Sequence, residues 1–423
     1  MSIQPAVDAA APESGSTAQP RLSPRVKRVF GFIAPVNFSI YLVSGAVPAV
    51  LLPLQVQGIN ESGKAGNLAI VLGVGAVASM VVSPLVGLLS DRTRSRFGRR
   101  APWLFWGALS TALSLVGMGF ADSLVQLLIA WAIVQIAFNC LVCPLVALLP
   151  DRVPEPVRGS FATLSGIGLM CGALGGQIVG ASFAEDVRLG YLLLPIGMLA
   201  MVMLFLVCCP DTPSRDRERE PFSLTTFLKS FWVSPRQHPD FFWGFLSRLA
   251  LFTGYFLVTG YQLYILQDHI GLGDDAVGKV ALLGSISLAA ILVSTGVSGP
   301  LSDRLGRRKV FVTVSAAVMG VAMLVPLVLP TLTGMIVYTV VSGLGFGVYQ
   351  AVDAALMSQV LPSADTFAKD LGVLNIAVAL PQTVGPLLGG ALAVGFGYSA
   401  LFPVGLVLSV IGALAILPIK SVR

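Results

Sequence analysis

The chain has 423 residues, 55% of them hydrophobic and only 11% charged, with a formal net charge of +6. Soluble domains carry about 25% charged residues. So low a charge content, with a mean hydropathy of +0.84, excludes a soluble globular chain.

Residues 1–28 are rich in Ala, Pro, Ser and Gly and read as a disordered tail; no cleavable signal is expected. Apolar runs follow near 29–54, 67–89, 102–120, 124–149, 160–183 and 190–209, then near 241–267, 277–301, 310–329, 333–358, 371–394 and 398–418. Each is long enough to cross a ~30 Å hydrocarbon core as a helix, and lipid forces helix because the backbone finds no other partner there. The expected fold is an all-α membrane protein of twelve transmembrane helices in two parallel six-helix bundles. The bundles span 29–209 and 241–418, with a short tail at 419–423. The linker, 210–240, holds five acidic and five basic residues. Within it Leu224, Phe227, Leu228 and Phe231 are spaced for a short helix on the membrane surface, or for packing against the bundle.

Lys and Arg fix the orientation. With the amino terminus inside, 23 of the 27 fall in inner segments, the outer loops hold Lys64, Arg188 and Lys279, and Arg248 lies inside a span. This is the positive-inside pattern, so both termini are expected in the cytoplasm, in an inner membrane. The basic charge then describes orientation, and no nucleic-acid partner is implied. The partners expected are the bilayer and a small-molecule substrate, for a monomer. The five cysteines, Cys140, Cys143, Cys171, Cys208 and Cys209, fall in or beside spans, where they read as small packing residues. No metal or other cofactor is implied beyond a proton or ion gradient.

The stretch GLLSDRTRSRFGRR at 87–100 concentrates five arginines and an aspartate in fourteen positions. It has a twin, GPLSDRLGRRK from Gly299, displaced by 212 residues, half the chain, and LLPD at 148–151 is echoed by VLPS at 360–363. The halves are therefore parallel repeats. G-x-L-S-D-R followed by G-R-R after spans 2 and 8 resembles the signature loop of the major facilitator superfamily. That resemblance covers the chain end to end and implies two bundles rocking about a midplane site. It implies gating roles as well. Asp91 would face the start of span 11 near Asp370, at the positive end of a helix dipole. Arg92, Arg96 or Arg99 would reach Asp151, and Asp303 with Arg304 would repeat the arrangement near Gly159. A loop that is merely solvated is the alternative. The longer first loop, with Gly98 seven residues after Asp91, resembles the sucrose-transporter and glycoside–pentoside–hexuronide branches. Those branches commonly carry acids in spans 1, 2 or 4, and this chain has none there.

Small residues recur every fourth position at Gly168, Gly172, Gly176 and Gly180, and at Gly75, Ser79, Ser83 and Gly87. Such ladders let helix backbones approach closely in lipid. The G-P-x-x-G-G run that exporters often bear in span 5 appears here at Gly385–Gly390 in span 11.

Substrate candidates come from the spans that line the cavity if the resemblance holds. They are Asn37 and Tyr41 in span 1, Gln135 and Asn139 in span 4, Tyr255 and Gln262 in span 7, Tyr349 in span 10, and Asn375 and Gln382 in span 11. The alternative for each is a helix–helix hydrogen bond. Arg248 and Asp353 are the ionisable residues inside the spans. A lone charge at that depth costs at least ~2.5 kcal/mol, so the two are expected to pair, with Asp353 the coupling residue and Arg248 its partner; a fixed structural ion pair is the alternative. The expected function is proton-coupled secondary active transport of a small organic solute by alternating access, with uptake of a sugar-like compound favoured by the long first loop. Efflux of a drug or secreted metabolite is the alternative, and a non-transporting sensor a remote one. No zinc motif, nucleophile elbow or phosphate loop is present, which argues against an enzyme or an ATP-driven pump.

Overall fold

The computed structural model describes residues 23–154, 157–214, 239–360 and 367–419. The expected interfacial helix at 224–231 lies outside the described residues, as do the tail through residue 22, the last four residues, and the side chains of Asp303, Asp370 and Asn375. Among the described residues there is no strand. The first six spans are α1 (Pro24–Ile59), α2 (Lys64–Arg92), α3 (Ala101–Met118), α4 (Leu124–Val146), α5 (Arg158–Ala181) and α6 (Val187–Cys208). The second six are α7 (Pro239–Thr259), α8 (Ala276–Leu305), α9 (Arg308–Ala322), α10 (Leu332–Val360), α11 (Phe367–Phe396) and α12 (Leu401–Ile416). Among the described residues, eleven helices are long and apolar enough to cross a bilayer, and α11 supplies the twelfth, with an apolar stretch at Leu380–Phe396.

Local chemistry sets the helix ends. The Ser123 and Asp186 side chains cap α4 and α6, accepting from the amides of Gln126 at 3.3 Å and Leu189 at 3.1 Å. Each signature loop turns on a glycine in the left-handed region, Gly98 at φ +94° and Gly306 at φ +61°. A β-carbon would crowd the backbone there. Gly306 is the left-handed C-cap of α8. α1 passes through a π-helical turn at Val47–Leu51, which contains Pro48 and is followed by Pro53.

Packing repeats across the halves. In the first half α1 lies against α5 and α6, α4 against α2 and α3, and α3 against α6. Adding six to every label gives the pairs of the second half: α7 with α11 and α12, α10 with α8 and α9, and α9 with α12. The halves meet through α2 with α11 and α5 with α8, two pairs that exchange under the same operation. The sequence repeat is thus a structural two-fold.

The glycine ladder of α5 explains its tightest contact. A β-carbon on Gly168, Gly172, Gly176 or Gly180 would run into Ala34, Phe38, Leu42 or Ala46 of α1, in that order and mostly onto backbone atoms. Four residues advance on one helix for four on the other, so the two backbones touch along a straight seam. The Gly385–Gly390 run does the same work for α11. Gly385 faces Phe256 and Leu257 of α7, and Gly389 faces Tyr261. Its position in span 11 therefore follows from the repeat, because α11 is the counterpart of α5. Gly176→Leu is expected to abolish recovery of folded protein, since the Leu42 carbonyl cannot move out of a helix. Gly166→Leu, with nothing within 4 Å of the added carbon, should leave yield and thermal stability at wild type in size-exclusion and melting assays.

One group of links between the halves lies at the end opposite the Asp91 loop. Leu387 of α11 fills the space over Gly73 of α2, Gly390 sits on Ala69, and the Tyr261 and Tyr264 hydroxyls donate to the Ala65 and Pro53 carbonyls at 3.4 and 2.8 Å.

Candidate functional site

Two charged constellations stand out, one at the end of the bundle and one inside it. At the end, Arg100 is the centre. It occupies the N-cap of α3. Helical side chains tilt back toward the helix start, so its guanidinium faces the last turn of α2 and is 4% exposed. It pairs with Asp91, donates to Ser90 Oγ at 2.5 Å and donates through Nε to Asp151 Oδ2 at 2.8 Å. Arg99 closes on the same Asp151 carboxylate, its Nε 3.2 Å from Oδ2.

The network extends into the chain leaving α6. The Arg100 amide donates to Asp211 Oδ2 at 3.0 Å, and Arg152 reaches Asp211 Oδ1 at 2.7 Å and the Cys209 carbonyl at 3.0 Å. Ser214 fixes the same segment, its Oγ accepting from the Ser95 amide at 3.2 Å and donating to the Thr93 carbonyl at 3.2 Å. Gly98 is tied in as well, because a β-carbon there would overlap the Asp211 side chain. Gly98→Ala should therefore fold less stably by at least about 1–2 kcal/mol from backbone strain alone, and should raise protease cleavage after residue 214; unchanged melting and digestion would contradict the packing.

Of the expected gating residues, the structure joins Asp91, Arg99 and Asp151. Arg96 lies instead over the Phe97 ring at 4.6 Å, because the loop turns at Gly98 before it can reach α4. Arg92 and Arg304 are exposed at the ends of α2 and α8. The Asp303 and Asp370 arrangements fall outside the described residues. Sequence reasoning missed Arg100, Asp211 and Arg152. The start of α3 immediately after G-R-R was the available signal for Arg100.

Inside the bundle, Arg248 of α7 and Asp353 of α10 do pair, at 3.0 Å, with side chains 16% and 5% exposed. They stand nine residues from the start of α7 and seven from the end of α10, roughly 10–14 Å deep at 1.5 Å per residue. The pair is not saturated, since Arg248 Nε is buried without a hydrogen-bond partner. Aromatic rings run on from it. Phe252 packs edge-on to Tyr349 at 5.8 Å and to Phe346 at 5.7 Å, and Tyr255 stacks on Phe346 at 4.3 Å. Met170 and Leu174 of α5 pack onto this cluster, which places it where the halves meet.

The polar candidates of the first half are engaged between helices. Asn37 donates to Ser165 Oγ of α5 at 3.1 Å and to the Ile33 carbonyl at 2.9 Å. Gln135 accepts from Ser79 of α2 at 3.0 Å, and Asn139 donates to Ser79 Oγ at 3.0 Å. Ser83 meets Cys143 at 3.2 Å, so the small-residue ladder of α2 is a polar seam against α4. Tyr41 is half-buried on α1, Tyr349 is buried, and Gln382 is exposed on α11. Gln262 is displaced from its expected stripe. α7 ends at Thr259, and Gln262 begins a separate short turn after Gly260, so it sits toward the opposite end and not beside Tyr255. Asn375 lies outside the described residues.

Known proteins agree with this architecture. A family model described as Major Facilitator Superfamily matches residues 29–297 and 276–422. The multi-drug resistance efflux pump PmrA of Streptococcus pneumoniae serotype 4 is 23% identical over 362 residues, covering 85% of this chain and 88% of that protein. The multidrug resistance protein MdtG of Escherichia coli O9:H4 is 27% identical over 403 residues, covering 87% and 91%. Among solved structures, a bacterial homolog of the human lysosomal transporter Spinster, inward-facing and occupied, superposes with a TM-score of 0.72 at 13% identity, over 93% of this chain and 97% of that one. With twelve spans, a two-fold between the halves, a signature loop in each and a family match along nearly the whole sequence, this chain is a member of the major facilitator superfamily of membrane transporters.

Proposed function

We propose that the protein exports a small amphipathic organic solute in exchange for protons, by alternating access, with Asp353 carrying the proton. The observation that carries this is the buried Arg248–Asp353 pair, 3.0 Å apart between α7 and α10. The Arg248 guanidinium lies against that carboxylate, so gaining a proton would release Arg248 and loosen α7 from α10. That is the chemical event a proton-coupled carrier needs. The Arg100-centred cluster braces the signature loop within the first half, at the basic end of the bundle, which faces the cytoplasm as the positive-inside pattern implies.

Export is favoured over sugar uptake by two features. The amides and hydroxyls of Asn37, Gln135 and Asn139, which would read sugar hydroxyls, bond neighbouring helices. The surface nearest the ion pair is aromatic, suited to an apolar body with few polar groups. The relatives named as multidrug pumps, which cover most of the chain, support the same direction. The test is flux in everted membrane vesicles. Energised vesicles should accumulate planar amphipathic dyes and should ignore a panel of mono- and disaccharides. Gradient-driven accumulation of a sugar in right-side-out vesicles, with no dye flux, would restore the uptake reading.

A further inference from the structure

We infer that Lys64 and Asp268, seated on Tyr264, form a gate lock at the end opposite the Asp91 loop, one that the transport cycle must break to open that side. The inference rests on the alternating-access reading, and it assigns roles to residues outside both constellations described above.

Lys64 opens α2 in the first half, and Asp268 follows α7 in the second. Their side chains meet at 2.9 Å across the seam, with Lys64 11% exposed and Asp268 38%. The Lys64 ammonium also stands 5.0 Å from the centre of the Tyr264 ring, where the π face attracts a cation. The hydroxyl of that tyrosine crosses back to the Pro53 carbonyl at 2.8 Å. Tyr261, two residues past α7, joins α11 to α2, its one hydroxyl proton shared between the Pro386 carbonyl at 2.8 Å and the Ala65 carbonyl at 3.4 Å. Tyr398 completes the set beside Tyr264, with ring centres 6.5 Å apart. The three polar links across the seam named here, Lys64–Asp268, Tyr264–Pro53 and Tyr261–Ala65, thus gather in one patch, over the close contact of Gly390 with Ala69. Rocking the halves apart at this end must separate every one of them together.

The sequence gives an independent reason to assign Lys64 a task. Basic residues are depleted from this end, which holds Lys64, Arg188 and Lys279. Arg188 provides a built-in control. It pairs with Asp122 at 3.2 Å within one half, with side chains 64% and 79% exposed. Such an exposed pair contributes little, and it does not bridge the seam.

Spin labels at Glu61 and Asp274, exposed residues on either side of the seam, in protein whose native cysteines are replaced, will report the opening of this end as a distance distribution. Lys64→Gln and Asp268→Asn should each raise the open fraction by about fivefold, the scale of a pair contributing near the top of the range for partly exposed ion pairs. The swap Lys64→Asp/Asp268→Lys should return the distribution most of the way to wild type, and Arg188→Gln should leave it unchanged. Wild-type distributions in both single variants, or a swap no better than the singles, would overturn the lock. A shifted distance in protein that moves no solute would leave the lock standing and overturn the transport reading instead.

Discussion

Asp353→Asn is expected to abolish proton-driven accumulation while sparing exchange of substrate down its own gradient. The amide keeps the size and hydrogen-bonding shape of the side chain but cannot take up a proton. With one proton exchanged per solute, each unit of pH gradient supports about tenfold accumulation, since one unit is worth 1.36 kcal/mol. The variant should fall to the equilibrium ratio at every gradient. Arg248→Gln should be worse, because it leaves Asp353 buried and alone. Removing one partner of a buried pair typically costs 3–5 kcal/mol, so loss of folded protein is the expected first symptom. The double variant Arg248→Gln/Asp353→Asn discriminates the two roles. It should regain stability and exchange but not accumulation. Full proton-driven accumulation in the double variant would make the pair a structural tie and remove Asp353 from the coupling role.

Arg100→Gln should cost more than any other change in the signature loop. A buried guanidinium with contacts to Ser90, Asp91 and Asp151 is replaced by a neutral group that can satisfy at most some of them. Each charge-assisted bond contributes roughly 1.5–3 kcal/mol, so transport should drop by at least about tenfold in protein that still inserts. Arg100→Lys should rescue only in part, because one ammonium cannot match the fork geometry of a guanidinium. Asp91→Asn should be milder, since the Asp91 side chain is 56% exposed and exposed pairs contribute at most about 1 kcal/mol. Asp303→Asn, in the second copy of the loop, should be milder again. Arg100→Gln protein with wild-type flux would reduce the loop to an orientation signal.

Much of this molecule is written locally in its sequence. Span positions follow from hydropathy, and the α5 seam from a four-residue period at Gly168, Gly172, Gly176 and Gly180. The internal repeat follows from two copies of S-D-R. The Arg248–Asp353 pair was legible because an ionisable group in lipid demands a partner, and few were available. What was not legible depends on where chain segments meet. Arg100 and Arg99 are neighbours with the same chemistry, and only the start of α3 at Ala101 turns the former inward. Asp211 looked like one of several linker acids until the chain folded back over Gly98. Gln135 and Asn139 have the spacing of a cavity wall and also that of a helix seam, and Ser79 on α2 decides between them. Gln262 left its stripe because α7 ends at Thr259, ahead of Gly260. Lys64 and Asp268 are 204 residues apart, and no local pattern joins them.

The central claim is that a proton bound at Asp353 drives solute movement, and proton flux itself tests it most directly. Purified protein in liposomes loaded with a pH-sensitive dye should show a change in internal pH when an amphipathic solute is added outside without any imposed gradient. The account predicts a solute-dependent proton signal from wild type and from Arg188→Gln protein, and none from Asp353→Asn protein that still exchanges solute. A proton signal of wild-type size from Asp353→Asn would contradict it.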